Sequence, residues 1–362
     1  MGETLRLRAD VPADVERAAA LLRAGRLVAF ATETVYGLGA DALAAEAVAG
    51  IFAAKKRPGW DPLIVHVAGA EELGRVAVVD EGLRERVERL AAAFWPGPLT
   101  LLLPRTAAVP DAVTAGRPLV GVRVPAHPAA QALLRAAGVP VAAPSANLFG
   151  HTSPTTAEHV LADLDGRIDA VLDAGPTPVG VESTVVDPTQ TPMMLYRPGA
   201  VSAEAMEAAC GVAVTVYVPP VERGEPEALP SPGVGIRHYA PRARMVLVGG
   251  TEGAVRKALR GVDGERVGVL LPEGWHVSGP GGQGASESAG RRAQAAGGEP
   301  GGGAVVEWGW GAWDRPEELA ARLYAGMRAL DEAGVEVIVC PLPESGGVRD
   351  AIRDRLGKAA RA

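Results

Sequence analysis

The chain has 362 residues, of which 48% are hydrophobic and 22% charged, and its formal net charge at pH 7 is −7. This length allows two domains with a hydrophobic core each, and it excludes a single small module. The negative charge argues against a surface coated uniformly in basic residues for holding nucleic acid, so any basic site has to be local.

The chain contains two cysteines, Cys210 and Cys340, which lie far apart in the sequence. This spacing indicates neither a disulfide scaffold nor a zinc site, and it favours a reducing compartment. The N-terminal residues MGETLRLRAD lack the apolar core of a secretion signal, and no apolar run reaches the roughly 18 residues that a membrane span needs. We therefore expect a cytoplasmic protein that makes no membrane contact.

From residue 12 to about 215, alanine-rich helical segments alternate with short runs of β-branched residues. The clearest examples, in chain order, are DVERAAALLRAG, LVAFA, ALAAEAVAGIFAAKK, LIVHV, LTLLL, VGVRV, VPVAA and STVVD. This alternation predicts an α/β domain, which we place at residues 1–216.

The composition changes over residues 217–244, which read YVPPVERGEPEALPSPGVGIRHYAPRAR. The prolines are incompatible with a continuous helix and disfavour a central strand, so this segment is interpreted as an interdomain linker. Beyond it, the order of strand-like and helical patterns predicts a second, smaller parallel α/β domain over 245–362. Residues 278–303, rich in glycine and serine, predict a mobile loop within it.

The second domain contains a long predicted helix over residues 316–333. Asp314 and Glu317 are spaced as a capping box at its start, and Gly334 stands where a C-terminal glycine belongs.

In the first domain, the apolar run LVAFA leads directly into TETVYG at residues 32–37. Small hydroxyls at a strand end, followed by Gly37 and Gly39, would let backbone amides come close to a ligand. A strand-to-helix turn capped by Thr34 is the alternative interpretation.

Two pairs of residues are candidates for the chemistry. In KKRP, Pro58 biases Arg57 out of the helical register, so that Lys55 and Arg57 can reach one anion. Lysine supplies a compact charge and arginine a planar fork, a combination that suits a polyphosphate. In PSAN, Ser145 and Asn147 follow the run VPVAA and face the same way, at the kind of strand end where open α/β sheets bind ligands. A solvated basic turn and an ordinary Ser/Asn turn are the alternatives.

Four further residues lie on or beside apolar strands. His66 in LIVHV is by burial tendency more often a core residue. Arg123 in VGVRVP requires either a carboxylate partner or an anionic ligand, because an unpaired buried charge is expensive. Ser183 stands at the mouth of the strand STVVD, and Arg197 in YRPG precedes a proline and should be extended.

The segments TETVYGLGADA, KKRP, DPLIVHV, WPGPLTLLL, VGVRVP, PSAN, ESTVVD and YRPG, in this order and spacing, together resemble the YrdC-domain family of threonylcarbamoyl-AMP synthases. The resemblance covers residues 12–205. SPGVGIRHYAP and ALDEAGVEVIVCPLPESG resemble the long, two-domain form of that enzyme. The likeness implies an α/β protein with an N-terminal twisted open sheet with helices and a C-terminal Rossmann-like parallel domain.

The resemblance also implies a nucleotidyl transfer that prepares tRNA modification. L-threonine and bicarbonate, or CO₂, combine to N-carboxythreonine, whose new carboxylate attacks the α-phosphorus of ATP to give threonylcarbamoyl-AMP and pyrophosphate. Mg²⁺ is expected with ATP, held largely by phosphate oxygens. The implied partners are a downstream complex that transfers the threonylcarbamoyl group to an adenosine beside the tRNA anticodon and, weakly, tRNA itself.

Site residues follow from the same resemblance. The K-x-R and S-x-N tetrad, which holds the nucleotide phosphates and the carboxylated amino acid, matches Lys55, Arg57, Ser145 and Asn147. The positions that bind threonine match Thr34, His66, Arg123, Ala143 and Ser183. The positions around ATP, besides Arg57, Ser145 and Asn147, match Asp61, Ser153, Arg197 and His238. Family members commonly have Asn where this chain has Asp61, whose carboxylate would repel phosphate unless it faces magnesium or solvent.

Other classes of protein remain open. A plain RNA-binding module would bind RNA tightly and salt-sensitively without using ATP. An O-carbamoyltransferase acting on carbamoyl phosphate would have additional catalytic domains or a metal-ligand cluster. A degenerate paralogue kept for protein contacts is a third alternative, although all four tetrad residues are present.

Overall fold

A computed structural model of the chain describes residues 3–218, 228–231, 233–234, 239–262, 266–277, 294–295 and 305–361. The chain divides into two compact units, the first formed by residues 1–149 and 153–235 and the second by 150–152 and 236–362. His238 lies outside the described residues, as does the predicted mobile loop over 278–303 apart from 294–295.

The first unit contains eleven strands and seven α-helices among the described residues. The strands are β1 (Leu5–Arg8), β2 (Val28–Ala31), β3 (Tyr36–Asp41), β4 (Ile64–His66), β5 (Leu99–Pro104), β6 (Leu119–Arg123), β7 (Val141–Ala142), β8 (Ala170–Asp173), β9 (Thr184–Asp187), β10 (Met193–Arg197) and β11 (Val214–Val216). The helices are α1 (Pro12–Arg23), α2 (Ala45–Lys55), α3 (Glu81–Phe94), α4 (Asp111–Thr114), α5 (Pro128–Ala137), α6 (Ala157–Leu164) and α7 (Ala203–Cys210), with a 3₁₀ turn at Ala70–Arg75.

These strands form one mixed sheet in the order β1-β8-β2-β3-β7-β4-β6-β5-β9-β10-β11. Strands β4 and β6 are parallel, whereas β2–β3, β3–β7 and β4–β7 are antiparallel. This order brings the ends of β3, β4, β6 and β7 together, although the four strands are distant in sequence.

Both faces of the sheet are covered, as the two sides of β2 show. Val28 and Phe30 pack in one core with Leu22 of α1, whereas Ala29 and Ala31 pack in the other with Ile51 of α2. Successive side chains of a strand point to opposite faces, so a strand buried on both sides reads as a continuous apolar run. The predicted α/β architecture with helices around an open sheet is confirmed.

The second unit is a five-stranded sheet with three helices among the described residues. Its elements are β12 (Arg244–Gly249), α8 (Glu252–Arg260), β13 (Val267–Pro272), β14 (Gln294–Ala295), β15 (Val305–Gly311), α9 (Pro316–Glu332), β16 (Val337–Leu342) and α10 (Val348–Ala359). In the order β12-β16-β13-β15-β14, the first four strands are parallel and β14 is antiparallel to β15. This is the smaller parallel α/β domain expected from the sequence.

The start of helix α9 differs from the sequence-based prediction. Pro316 is its first residue and Arg315 its N-cap, which makes no side-chain capping bond, so the capping box of Asp314 and Glu317 is wrong. Proline suits the first helical position because its φ is preset and its missing N–H would be unpaired there in any case. At the other end, Gly334 adopts a left-handed φ of 72°, as a C-terminal glycine should.

In the described part of both units, no helix is long and apolar enough to cross a membrane.

Candidate active site

The TETVYG stretch forms a hairpin between β2 and β3, not a turn into a helix. Thr32 Oγ1 donates to the Val35 carbonyl at 2.7 Å and accepts the backbone N–H of Thr34 and of Val35 at 3.2 and 3.3 Å. The Oγ1 atoms of Thr32 and Thr34 lie 2.8 Å apart. The two hydroxyls therefore fix the hairpin turn from within, and Thr34 does not cap a helix.

The glycines of this stretch serve the packing of β3. A Cβ on Gly37 would lie 3.2 Å from the Cβ of Ala143, and one on Gly39 would lie 2.9 Å from side-chain atoms of Phe30 and Val141. They allow neighbouring strands to approach closely, and the approach of backbone amides to a ligand stays a prediction. Ala143, one of the predicted threonine-binding residues, lies against Gly37 for this reason.

The PSAN segment runs beside the hairpin. The N–H of Leu38 donates to the Pro144 carbonyl at 2.7 Å, and the N–H of Ala146 donates to the Tyr36 carbonyl at 2.8 Å. Two of the sequence motifs, TETVYG and PSAN, are thus joined by backbone hydrogen bonds. Ser145 of the tetrad lies within this joined segment.

Lys55 is the last residue of α2, and it connects that helix to PSAN. Its Nζ donates to the carbonyl oxygens of Ser145 and Asn147, at 2.5 Å each, and its side chain is 1% exposed. Burial, reinforced by the charge of Arg57, holds the pKa of Lys55 well below its usual value. Lys55 therefore orders the S-x-N segment directly.

Arg57 lies outside helix α2, as predicted, because the chain turns at Lys56 with a left-handed φ of 53°. Its Nε donates to the Asp61 carbonyl at 3.1 Å, its Nη2 donates to the Pro62 carbonyl at 2.8 Å, and its guanidinium lies 5.9 Å from the ring centroid of Phe149. Arg57 Nη2 also pairs with Asp61 Oδ2 at 2.9 Å. The fully buried Asp61 carboxylate thus pairs with Arg57.

Arg123, at the end of β6, has the carboxylate partner that its burial required. Its Nη2 lies 2.6 Å from Glu33 Oε1, its Nη1 donates to Thr34 Oγ1 at 2.9 Å, and its Nε donates to the Gly97 carbonyl at 3.2 Å. His66 lies opposite Arg123 in the β4–β6 pair. Burial, together with the charge of Arg123, lowers the pKa of His66 to about 3, so its imidazole is neutral at pH 7.

Ser183 and Arg197 form another buried group. Ser183 Oγ lies 2.8 Å from Thr100 Oγ1 and accepts from Arg197 Nη2 at 3.1 Å, while Arg197 Nε donates to the Ser183 carbonyl at 3.0 Å. Arg197 ends strand β10, so the extended backbone predicted for it is confirmed. Ser153 Oγ donates to Glu182 Oε1 at 2.5 Å.

A loop preceding β9 joins this group to the hairpin. The N–H groups of Val179 and Gly180 donate to the carbonyls of Glu33 and Thr34, at 2.8 and 3.0 Å. The structure therefore brings Thr34 and Arg123 into contact, Lys55 to the backbone of Ser145 and Asn147, and Ser183 to Arg197. It also pairs Asp61 with Arg57. The exceptions are Ser153, which contacts Glu182, and His238, which lies outside the described residues.

Sequence reasoning missed three polar partners, namely Glu33, Thr100 and Glu182. Glu33 and Glu182 stand inside the motifs TETVYG and ESTVVD, where a buried acidic residue beside small hydroxyls was the available signal. Thr100 lies within the apolar strand β5 and gave no signal. In the described part of the chain, no three His, Cys, Asp or Glu side chains are arranged to hold a metal ion.

The fold and these contacts define the class of protein to which the chain belongs. The protein is an α/β protein whose strand ends gather buried lysine and arginine side chains with small hydroxyls, an arrangement suited to anionic substrates.

Comparison with known proteins identifies the family. A family model described as telomere recombination matches residues 20–199, and one described as the C-terminal domain of threonylcarbamoyl-AMP synthase matches residues 201–361. The threonylcarbamoyl-AMP synthase of Pyrococcus abyssi is 40% identical, covering 95% of this chain and 93% of its own. The Bacillus subtilis enzyme of the same name is 41% identical, covering 96% and 92%.

The fold comparison agrees. The crystal structure of P. abyssi Sua5 complexed with L-threonine matches with a TM-score of 0.82 and 38% identity, over 99% of this chain and 97% of the other. The chain belongs to the threonylcarbamoyl-AMP synthase family, as its motifs predicted.

Proposed function

We propose that this protein makes L-threonylcarbamoyl-AMP and pyrophosphate from L-threonine, bicarbonate or CO₂, and ATP. The observation that carries the proposal is the similarity of both units, at about 40% identity, to enzymes of that name. The intact tetrad supports it, because Lys55 binds the backbone of the S-x-N segment directly.

The reaction requires two bonds to form. The threonine ammonium group loses a proton, its nitrogen attacks the carbon of CO₂, and a second proton leaves the nitrogen to give a carbamate. A carbamate oxygen then attacks the α-phosphorus of ATP, and the bond from that phosphorus to pyrophosphate breaks. All the reacting groups are anions or become anions, so positioning and charge neutralisation supply most of the catalysis, and no protein nucleophile is needed.

In this proposal the tetrad faces the phosphates and the carbamate. Arg57 supplies the charge that binds phosphate oxygens, with Asp61 and two backbone carbonyls setting its orientation. Lys55 fixes Ser145 and Asn147. Asp61 contributes to the ATP site by pairing with Arg57. The remaining residues assigned to ATP are Ser153, Arg197 and His238.

The threonine pocket is formed by the hairpin and the ends of β4, β6 and β7. Arg123 binds the substrate carboxylate, a charge-assisted bond of the kind that contributes roughly 1.5 to 3 kcal/mol. The other residues assigned to threonine are Thr34, His66, Ala143 and Ser183. Packing alone discriminates against serine, which lacks one methyl group, by about 1 to 3 kcal/mol, so the choice of threonine over serine is modest.

Mg²⁺ would enter with ATP. Since the described residues offer no cluster of three or more His, Cys, Asp or Glu side chains for a metal, the ion would be held mainly by phosphate oxygens. The product would pass to a complex that transfers the threonylcarbamoyl group to tRNA in the cytoplasm, with weak contact between this protein and tRNA.

The test is pyrophosphate release from ATP with Mg²⁺ and bicarbonate, measured with L-threonine, with L-serine and with no amino acid. We expect release that depends on threonine and bicarbonate and that is lost in Arg57→Ala. Release indifferent to threonine would contradict the proposal and favour a carbamoyltransferase. The absence of release, together with tight and salt-sensitive RNA binding, would favour an RNA-binding module.

A further inference from the structure

Glu33 is a buried acidic residue to which the proposed reaction assigns no role. It lies in the middle of the TETVYG turn and is 7% exposed. Its Oε1 pairs with Arg123 Nη2 at 2.6 Å, and its Oε2 accepts the backbone N–H of Ala126 at 3.1 Å. Its own carbonyl accepts the N–H of Val179 at 2.8 Å. The carboxylate is therefore held at both oxygens, and the backbone that carries it is held at its carbonyl.

Both groups that approach the Glu33 carboxylate are donors. A carboxylate offers two acceptor oxygens, whereas a glutamine offers one oxygen and one NH₂ group. Glutamine would leave either Arg123 or the Ala126 N–H facing another donor. The position therefore requires the charge and both acceptors of a glutamate.

The charges of Arg123, Glu33 and His66 add up to zero before a substrate binds. Glu33 neutralises Arg123, and His66, the cross-strand neighbour of Arg123, is uncharged at pH 7. The guanidinium has five N–H groups in a fixed fork. Its contacts with Thr34, Gly97 and Glu33 use three of them, so two donors remain for a second carboxylate beside Glu33.

L-threonine carries one negative and one positive charge. A plain hydroxy acid of the same shape carries only the negative one. Beside Arg123 alone, the hydroxy acid would gain as much binding free energy from its carboxylate as threonine. With Glu33 in place, the carboxylate of the ligand is also repelled by the Glu33 carboxylate, in a poorly solvated setting. Only a ligand that also carries an ammonium group compensates this repulsion.

We propose that Glu33 is a specificity-determining residue that makes this pocket select zwitterionic amino acids over hydroxy acids. It does so by neutralising Arg123 and by holding its guanidinium in place. This inference rests on the proposed function, in which Arg123 binds the threonine carboxylate.

The experiment compares two ligands by isothermal titration calorimetry. They are L-threonine and (R)-3-hydroxybutyrate, which is threonine without its α-amino group. In the wild-type protein, threonine should bind at least about tenfold more tightly, corresponding to about 1.4 kcal/mol. In Glu33→Gln, this preference should fall by about tenfold or more, while Glu33→Asp, which keeps the charge, should retain most of it.

Glu72→Gln is the matched control. Glu72 also pairs with an arginine, Arg75 at 3.9 Å, and also accepts a backbone N–H, from Ala68 at 3.4 Å, but it is part of no assigned site. Its substitution should leave the preference unchanged. Melting temperatures measured for every variant separate loss of fold from loss of selectivity.

The outcomes are distinct. Equal binding of the two ligands to the wild-type protein would overturn the inference without any variant. An unchanged preference in a folded Glu33→Gln protein would overturn it as well. Arg123→Ala tests separately whether Arg123 binds the threonine carboxylate. If it does, this variant should lose the preference for L-threonine over L-threonine amide. If it does not, Arg123 is not the carboxylate partner, and the inference about Glu33 fails with that assignment.

Discussion

Replacing Asp61 with alanine should damage both the stability of the protein and its affinity for ATP. The Asp61 carboxylate is fully buried and pairs with Arg57 Nη2 at 2.9 Å, so the substitution removes one partner of a buried ion pair. Removing one partner of a buried ion pair costs about 3 to 5 kcal/mol. At about 2 to 4 °C per kcal/mol for a domain of this size, the melting temperature should fall by roughly 6 to 20 °C.

An ion pair on the surface distinguishes the effect of burial from the effect of pairing on stability. Asp111 also pairs with an arginine, Arg105 at 2.5 Å, but its side chain is 77% exposed. Exposed pairs contribute about 0 to 1 kcal/mol, so Asp111→Ala should change the free energy of unfolding by less than about 1 kcal/mol. Asp61→Asn, which keeps a hydrogen-bond acceptor but not the charge, should fall between the two alanine variants.

Urea unfolding of the three variants tests the stability argument, and pyrophosphate release at varied ATP tests the functional one. We expect Asp61→Ala to raise the KM for ATP by about tenfold or more, because Arg57 loses the group that orients it. Equal stability losses in Asp61→Ala and Asp111→Ala, with an unchanged KM for ATP, would show that the buried Asp61–Arg57 pair neither stabilises the protein nor orients Arg57 for ATP.

The remaining predictions concern three buried side chains. Lys55→Met removes the hydrogen bonds that the Lys55 side chain donates to two PSAN carbonyls, at about 1 to 3 kcal/mol each, so it should lower the urea midpoint and abolish pyrophosphate release. A stable, active variant would contradict this role. Because the pKa of His66 is lowered to about 3, the unfolded chain binds more protons than the native one below about pH 6.5. The free energy of unfolding should therefore fall between pH 6.5 and 3, by up to about 1.4 kcal/mol per pH unit, and His66→Asn should flatten this slope in urea titrations at several pH values. Tyr36→Phe loses bonds to the Gly175 carbonyl at 2.7 Å and the Ala174 N–H at 3.1 Å, so it should lower the melting temperature by the equivalent of about 1 to 2 kcal/mol while keeping its activity.

Much of the fold could be predicted from local patterns. The apolar runs that became β2, β5 and β6 are buried on both sides, and the alternation with alanine-rich helices indicated their α/β arrangement. The exit of the chain from helix α2 before Arg57 was also predictable, because Pro58 restricts the residue before it.

The partners of the buried charges could not be predicted in the same way. That Arg123 needed a carboxylate partner or an anionic ligand followed from its burial. The identity of the partner as Glu33 depends on the β3-β7-β4-β6 order, which joins segments distant in sequence. Asp61 matches an ATP position by resemblance, but its pairing with Arg57 depends on the turn after α2 and could not be predicted. The capping box at Asp314 failed for a local reason, since Pro316 at the first helical position made Arg315 the N-cap.

The most direct test of the proposed reaction is the detection of its product. The protein is incubated with ATP, Mg²⁺, L-threonine and ¹³C-bicarbonate, and the nucleotides are analysed by mass spectrometry. We expect threonylcarbamoyl-AMP carrying one ¹³C in its carbamoyl group, formed by the wild-type protein and not by Arg57→Ala. ATP consumed without any labelled threonylcarbamoyl-AMP would contradict it.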